Sequence, residues 1–245
     1  MKVVITGASG TIGTVLRKGL PKEWQIVGLD LEPAEGVTKC DILKDAEILE
    51  ASFTGADAVI HLAWDMREIG AKFSPFIPEN REMARRVLEV AEKCTVKRVL
   101  FASSVHVMFG EVGYIHPGLV KEHRTLHRTK KITEADFVSP VSAYAESKVF
   151  IEQLGKAYSA KGITIIAARF GHVTKDDSQG EYPFWFSHRD CAEFVRRALT
   201  AELPPFSIFI ATSNNSCSPF SLRAMNSILG FIPQDGAPCP DATRY

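Results

Sequence analysis

Apolar residues come in short runs separated by polar, glycine-bearing turns, and two periods alternate along the chain. Residues 2–6, 25–29, 57–62, 97–103 and 163–168 are compact runs of strand length. The last, Ile163-Thr-Ile-Ile-Ala-Ala168, has almost no polar interruption, as expected where both faces of a sheet are covered. Between the runs, helical spacing recurs over 11–20, over 80–93 (Met83, Val87, Leu88, Ala91) and over 144–160 (Val149, Leu154, Ala157). Strands alternating with helices of this length predict βαβ units, hence an α/β fold with a doubly wound parallel sheet.

After Arg169 the rhythm loosens. Residues 174–182 read as a polar loop, 190–199 as a helix, 207–211 as a strand and 222–229 as a short helix, with a mobile tail from Gly236. The expected division is a binding domain over 1–170 and a smaller portion over 171–245, whose helix and strand return to the core. At 245 residues and 45% hydrophobic content the chain can bury one substantial core. A formal net charge of zero removes the electrostatic reason to expect nucleic acid or an anionic membrane as partner. No run approaches the roughly 18 apolar residues of a membrane span. Gly7 to Gly13 interrupt the first apolar segment before it could serve as a signal peptide. Five scattered cysteines (Cys40, Cys94, Cys191, Cys217, Cys239) read as free thiols, and the expected location is a reducing cytoplasm. One compositional oddity is the basic stretch 121–131, with five Lys or Arg against one Glu.

Chemistry enters with Thr6-Gly-Ala-Ser-Gly-Thr-Ile-Gly13, which follows the first strand and opens the first helix. Gly7 permits a tight turn, Gly10 admits a pyrophosphate against bare backbone, and Gly13 lets the helix pack close to the sheet. The N–H groups of the segment Ser9, Thr11 and Ile12 lie where a helix start meets phosphates. This is the glycine turn of a Rossmann-type dinucleotide site. Asp30 ends the second strand, 23 residues after Gly7. A carboxylate there accepts the ribose hydroxyls of NAD and repels the 2′-phosphate of NADP, so NAD is the expected cofactor. Asp41 and Ile42, after a short apolar stretch, are candidates for contact with adenine.

Far downstream, Tyr144-Ala-Glu-Ser-Lys148 puts a phenol and an ammonium on one helix face. A free tyrosine, with a pKa of about 10, is a poor base at neutral pH. A cation at roughly 4 Å in an effective dielectric of about 20 would favour the phenolate by on the order of 4 kcal/mol. Ser103 and Ser104, at the end of the fourth predicted strand, could hold the oxygen of a substrate.

These residues resemble the extended short-chain dehydrogenase/reductase family, also called the NAD-dependent epimerase/dehydratase family. The motifs that carry the likeness are the glycine turn, His61-Leu-Ala63, Phe101-Ala-Ser-Ser104 and Tyr144-x-x-x-Lys148. The resemblance implies that Ser104 orients the reacting hydroxyl, Tyr144 takes its proton and Lys148 holds the nicotinamide ribose. It also implies that Leu62 and Ala63 pass beneath the cofactor, that Asn80 lies near its adenosine half, and that two copies pair through helices 80–93 and 144–160. Within the family the likeness is nearest to uronate dehydrogenases and archaeal NAD-dependent glucose-6-phosphate dehydrogenases. It rests on Phe101-Ala-Ser-Ser-Val-His106, Trp185-Phe-Ser-His-Arg-Asp190 and Leu229-Gly-Phe-Ile-Pro-Gln-Asp235. Such enzymes oxidise the anomeric hydroxyl of a cyclic sugar to a lactone.

Three departures bear on the substrate. Val105 replaces the subgroup's asparagine, His172 stands where uronate enzymes have a small hydroxyl residue, and residues 178–183 lack their carboxylate-gripping arginine. The substrate-binding candidates are thus Trp64, Ser104, Val105, His106, Tyr144 and His172, and the partner is a small sugar, sugar acid or sugar phosphate. The basic stretch 121–131 is a candidate for reaching the substrate mouth to meet an anionic group. His188 reads as structural at a helix start. His123 and His127 have helical spacing but no third ligand, so no metal is expected. The expected activity is an NAD-dependent sugar dehydrogenase. The rivals are a sugar-nucleotide epimerase or dehydratase and a non-catalytic NAD-binding regulator. Only 76 residues follow Arg169, little material to enclose a nucleotide diphosphate.

Overall fold

The structure, a computed structural model, describes residues 1–68, 75–112, 130–179 and 183–238. Seven parallel strands form one sheet: β1 (Lys2–Thr6), β2 (Gln25–Asp30), β3 (Val37–Lys39), β4 (Ala58–His61), β5 (Arg98–Ser104), β6 (Thr164–Phe170) and β7 (Phe206–Ala211). Their order is β3-β2-β1-β4-β5-β6-β7. The chain winds outward from β1 to β3, then crosses back and winds the other way from β4. The reversal leaves a crevice outside the carboxyl ends of β1 and β4, where ligands bind in doubly wound sheets. Thr6 pairs with His61, and Ser104 pairs with Phe170, so the ends that matter for the site lie along one edge.

Alternation along the strands builds two cores. On one face Val3, Ile5, Ile60, Leu100, Ile166 and Phe209 pack with α1 (Thr11–Gly19), α6 (His188–Thr200) and α7 (Arg223–Leu229). On the other, Val4, Val59, Val99, Phe101 and Ile165 meet α2 (Ala46–Phe53), α3 (Pro78–Lys93) and α5 (Ala143–Ser159). A smaller cluster follows β5 and includes Val105, Met108 and Phe109, the last opening the short α4 (Phe109–Val112), together with Phe184, Ile210 and Phe220. Residues beyond 170 share the first core with β1 and α1, because Phe194, Val195, Phe209 and Met225 are buried in it.

Periodicity located these strands and the long helices to within a residue or two, and it missed β3 and α2. Three residues are too few to show a period. α2 buries only Leu49 and Phe53, one turn apart. Two expectations are corrected. The segment from Gly236 to Pro238 is packed, with Ala237 buried and its amide bonded to Asn215 Oδ1 at 2.9 Å. Cys217 is disulfide-bonded, whereas Cys40, Cys94 and Cys191 are free thiols. Spacing along a chain does not report which cysteines a fold brings together. Most of the basic stretch, including His123 and His127, lies outside the described residues. Lys130 is 4.0 Å from Asp136, and Lys131 donates to the Ser218 carbonyl. Among the described residues no helix is long and apolar enough to cross a membrane, and no group of three His, Cys, Asp or Glu could hold a metal.

Candidate active site

The glycine turn sits at the mouth of the crevice. Gly7 has φ +76°, and a Cβ on it would lie 2.5 Å from the amide nitrogen of Ala63. Bare backbone is thus what lets the turn after β1 close against Leu62 and Ala63 after β4. A Cβ on Gly13 would come within 2.4 Å of the Gly7 carbonyl oxygen, so the helix–turn approach requires glycine there too. Gly10 differs. It is exposed, and a Cβ on it would meet nothing closer than that same carbonyl at 3.4 Å. Gly10 caps α1 without a side chain, and Thr14 N is bonded back to Gly10 O at 2.8 Å. The amides of Thr11 and Ile12 thus stand in the uncapped first turn, at the positive end of a helix dipole.

Beside this turn, Asp30 holds Ser9 N at 2.9 Å through Oδ2 and Glu32 N at 3.1 Å through Oδ1. Each carboxylate oxygen keeps a lone pair for a ribose hydroxyl. The bare cradle at Gly10, the uncapped helix and this carboxylate fit a dinucleotide. Asp41 and Ile42 follow β3 at the same sheet edge. Asp41 is tied to Leu43 N at 3.0 Å and to Lys44, and Ile42 is buried in the second core. Asn80 is tied into the turn after β4. It is fully buried, its Oδ1 accepts from Asp65 N at 2.7 Å, and its Nδ2 donates to Asp65 O at 3.2 Å and Glu68 Oε2 at 3.0 Å. Those bonds occupy both donors of the amide and fix the turn after β4, while Oδ1 keeps a second lone pair.

Ser104, Tyr144 and Lys148 converge at the carboxyl end of β5, all buried. Ser142 caps α5 by accepting from Ala145 N at 3.2 Å, which sets where the helix starts and thereby points Tyr144 and Lys148 inward. The Ser104 hydroxyl lies near enough to the phenol to favour its ionised form, and Ser104 Oγ accepts from His106 N at 3.2 Å. The Lys148 ammonium donates to Ala102 O at 2.8 Å and sits 3.4 Å from the centre of the Trp64 ring.

The charge state expected from the Tyr144–Lys148 spacing is corrected here. Burial pushes the Tyr144 phenol up to about 12, against the Ser104 hydroxyl that lowers it, and the Glu68 carboxylate pushes it further up. Burial also drives Lys148 well below its ordinary value, opposed by the same carboxylate. Desolvation of two fully buried groups outweighs the attraction that their helical spacing suggested.

The outer wall is aromatic. Trp64 meets Tyr144 edge-on at 6.3 Å, and His106 meets it edge-on at 5.3 Å while stacking on Phe109 at 4.1 Å. Burial, then His172 and Lys148, hold the His106 imidazole down at about 4, and burial lowers His172 as well. His172 is exposed, with its backbone bridged to Trp185. Val105 is buried in the small cluster after β5, which also holds Phe109. His188 is structural, bonded through Nε2 to Thr174 O at 2.7 Å.

Two features went unread in the sequence. Glu152, eight residues after Tyr144 and so on the same helix face, makes a buried pair with Arg169. A charged residue on the apolar side of α5 and another inside an apolar strand were the available signal. Glu68, buried after β4, had none.

The chain is similar to L-arabinose 1-dehydrogenase (NAD(P)(+)) of Haloferax volcanii, 26% identical over 96% of this chain and 97% of that protein. It is also similar to uronate dehydrogenase of Pseudomonas syringae pv. tomato, 27% identical over 96% of this chain and 82% of that one. A solved structure described as a mutated uronate dehydrogenase superposes with a TM-score of 0.76 at 25% identity, covering 96% of this chain and 82% of that one. The model of one family matches residues 3–209, which span the glycine turn, the Ser104–Tyr144–Lys148 group, strands β2 to β6 and most of β1 and β7. By that match the chain belongs to the NAD dependent epimerase/dehydratase family.

Proposed function

We propose that this protein is an NAD-dependent sugar dehydrogenase that oxidises the anomeric hydroxyl of an aldose to a lactone. The observation that carries the reading is the convergence of buried Ser104, Tyr144 and Lys148 at the carboxyl end of β5, with Lys148 bonded to Ala102 O, at the sheet edge that also bears the glycine turn. When bound, NAD supplies the hydride acceptor and, in its oxidised form, a positive charge on the nicotinamide ring. The turn 7–13 and Asp30 hold its pyrophosphate and ribose, and Leu62 and Ala63 lie beneath it. Lys148 holds the nicotinamide ribose, and residues 171–245 complete the sugar pocket around a core shared with 1–170.

Ser104 donates to the sugar oxygen and fixes it near the Tyr144 phenol. The sugar O–H proton passes to ionised Tyr144, the C–H bond at the same carbon breaks with its electron pair leaving as hydride, and a C=O bond forms. A buried phenol is sensitive to charge placed beside it, so the ionisation of Tyr144 is poised to follow the charge of the loaded site. His106 and His172, both disfavoured as cations, suit the hydroxyls of an uncharged aldose better than a carboxylate. The relatives that act on L-arabinose and on uronates support a free sugar as substrate.

The test is a panel of neutral aldoses, uronates and sugar phosphates assayed with NAD, alongside nucleotide sugars. NADH should form with a free sugar, and Tyr144→Phe should lower kcat roughly 10²–10⁴-fold. Interconversion of nucleotide sugars with no net NADH would overturn the reading in favour of an epimerase.

A further inference from the structure

One buried carboxylate spends its hydrogen-bonding capacity on the walls of the site, and the chemistry above leaves it unused. Glu68 ends a 3-10 turn, Met66–Glu68, and has no solvent exposure. Its Oε2 accepts from Trp64 Nε1 at 3.1 Å and from Asn80 Nδ2 at 3.0 Å. Its Oε1 accepts from Ser147 Oγ at 3.0 Å and from the amide of Ile77 at 2.9 Å. Four donors converge from the stretch after β4, the entry to α3, α3 itself and α5. A carboxyl group that only accepts is an ionised one. Burying such a charge is costly unless hydrogen bonds and a counter-charge offset it.

The counter-charge is at hand. Lys148 feels Glu68 electrostatically, and so does Tyr144. The Trp64 indole lies between them in the network, anchored to Glu68 by its N–H and laid with its face 3.4 Å from the Lys148 ammonium. The other titratable groups packed around this pocket are His61 on β4 and His106 after β5, and both feel Lys148. Glu152 on α5 is paired with Arg169, and Asp65 with Arg67.

We propose that Glu68 is a positioning residue: its carboxylate seats the Trp64 indole on the Lys148 ammonium and serves as that ammonium's buried counter-charge. The proposal rests on reading Tyr144 and Lys148 as the reacting pair. A fixed negative charge here favours protonated Tyr144 and protonated Lys148 alike. It keeps the lysine cationic in a site that would otherwise neutralise it, and it makes the tyrosine harder to ionise.

Glu68→Gln removes the charge at nearly constant volume. In the coenzyme-free protein, tyrosine labelled with ¹³C at Cζ reports ionisation by NMR, Tyr144 being assigned by its loss in Tyr144→Phe. The Tyr144 titration should move to lower pH by roughly one unit, the order expected when a neighbouring unit charge is removed from a protein interior. Trp64 emission, assigned with Trp64→Phe, should become accessible to acrylamide. Under turnover, both limbs of the kcat profile should move acid-ward together, because Tyr144 and Lys148 each lose a proton more easily. A folded Glu68→Gln protein with an unmoved Tyr144 titration and a still-shielded Trp64 would overturn the proposal. Wild-type protein inert toward NAD and sugars would instead sink the functional reading and leave the NMR result to decide this one. Should Glu68→Gln not fold, Trp64→Phe removes the anchoring N–H together with the five-membered ring of the indole. Acylation of Lys148, followed by peptide mass, should then speed up severalfold, and an unchanged rate overturns the proposal.

Discussion

Arg169 and Glu152 form a two-pronged ion pair beneath the reacting group, with Nε to Oε1 at 2.9 Å and Nη2 to Oε2 at 2.8 Å. Each is only 2% exposed. Ser103 Oγ donates to the same Oε1 at 2.6 Å, and Arg169 Nη1 rests on Met108 Sδ. Since Glu152 lies one turn beyond Lys148 on α5, the pair pins the rotation of that helix against β5 and β6. Removing one partner leaves a buried charge without its counter-ion. Glu152→Gln should therefore lower unfolding free energy by about 3–5 kcal/mol in urea titrations. The double replacement Glu152→Leu with Arg169→Met should recover most of that loss. Equal destabilisation by the single and double variants would contradict this account.

The glycine turn makes two opposite predictions. Gly10→Ala has room in the protein, so its melting temperature should stay within a degree or two while the KM for NAD rises. Gly13→Ala drives a methyl into the Gly7 carbonyl and should lose both stability and coenzyme binding. Thermal melts and calorimetric NAD titrations on the two variants separate a phosphate cradle from a packing contact.

Asp30 sets the coenzyme preference through its charge. Asp30→Ser keeps a polar partner for Ser9 N and removes the repulsion of a 2′-phosphate. The ratio of kcat/KM for NADP over NAD should rise by about tenfold or more. A ratio unchanged from wild type would mean that Asp30 serves only the turn.

Acid should weaken the fold through two histidines held neutral. His61 is fully buried on β4, bonded to Thr6 Oγ1 at 2.8 Å through Nδ1, and burial followed by the Lys148 charge lowers it to about 3. His106 is lowered to about 4. In the unfolded chain both take up a proton near pH 6.5. Above that pH neither contributes a pH dependence. As the pH falls from 6.5 toward 4 the unfolded state binds protons that the native state refuses, so stability drains away at about 1.4 kcal/mol per pH unit for each group. Urea midpoints measured from pH 8 to pH 4.5 should fall accordingly, and His61→Leu should flatten the slope by about half. A midpoint independent of pH across that range would show that the two imidazoles are free to charge in the folded protein.

What the sequence alone determined is what local patterning encodes. Strand runs, helical spacing and the Gly7–Gly10–Gly13 turn are readable because backbone geometry depends on neighbours a few residues away. Tyr144 and Lys148 were legible for the same reason: four residues on a helix is one face. The tertiary structure decided everything that depends on burial and on distant partners. It spent Asn80 on the turn after β4, turned Val105 into a core, tied up Cys217, and gathered Trp64, Ile77, Asn80 and Ser147 onto Glu68. It also pushed Tyr144 of the coenzyme-free protein away from the phenolate that its spacing to Lys148 suggested, because the cost of taking a charge out of water is set by the whole surrounding fold, whereas spacing along one helix reports only a single neighbour.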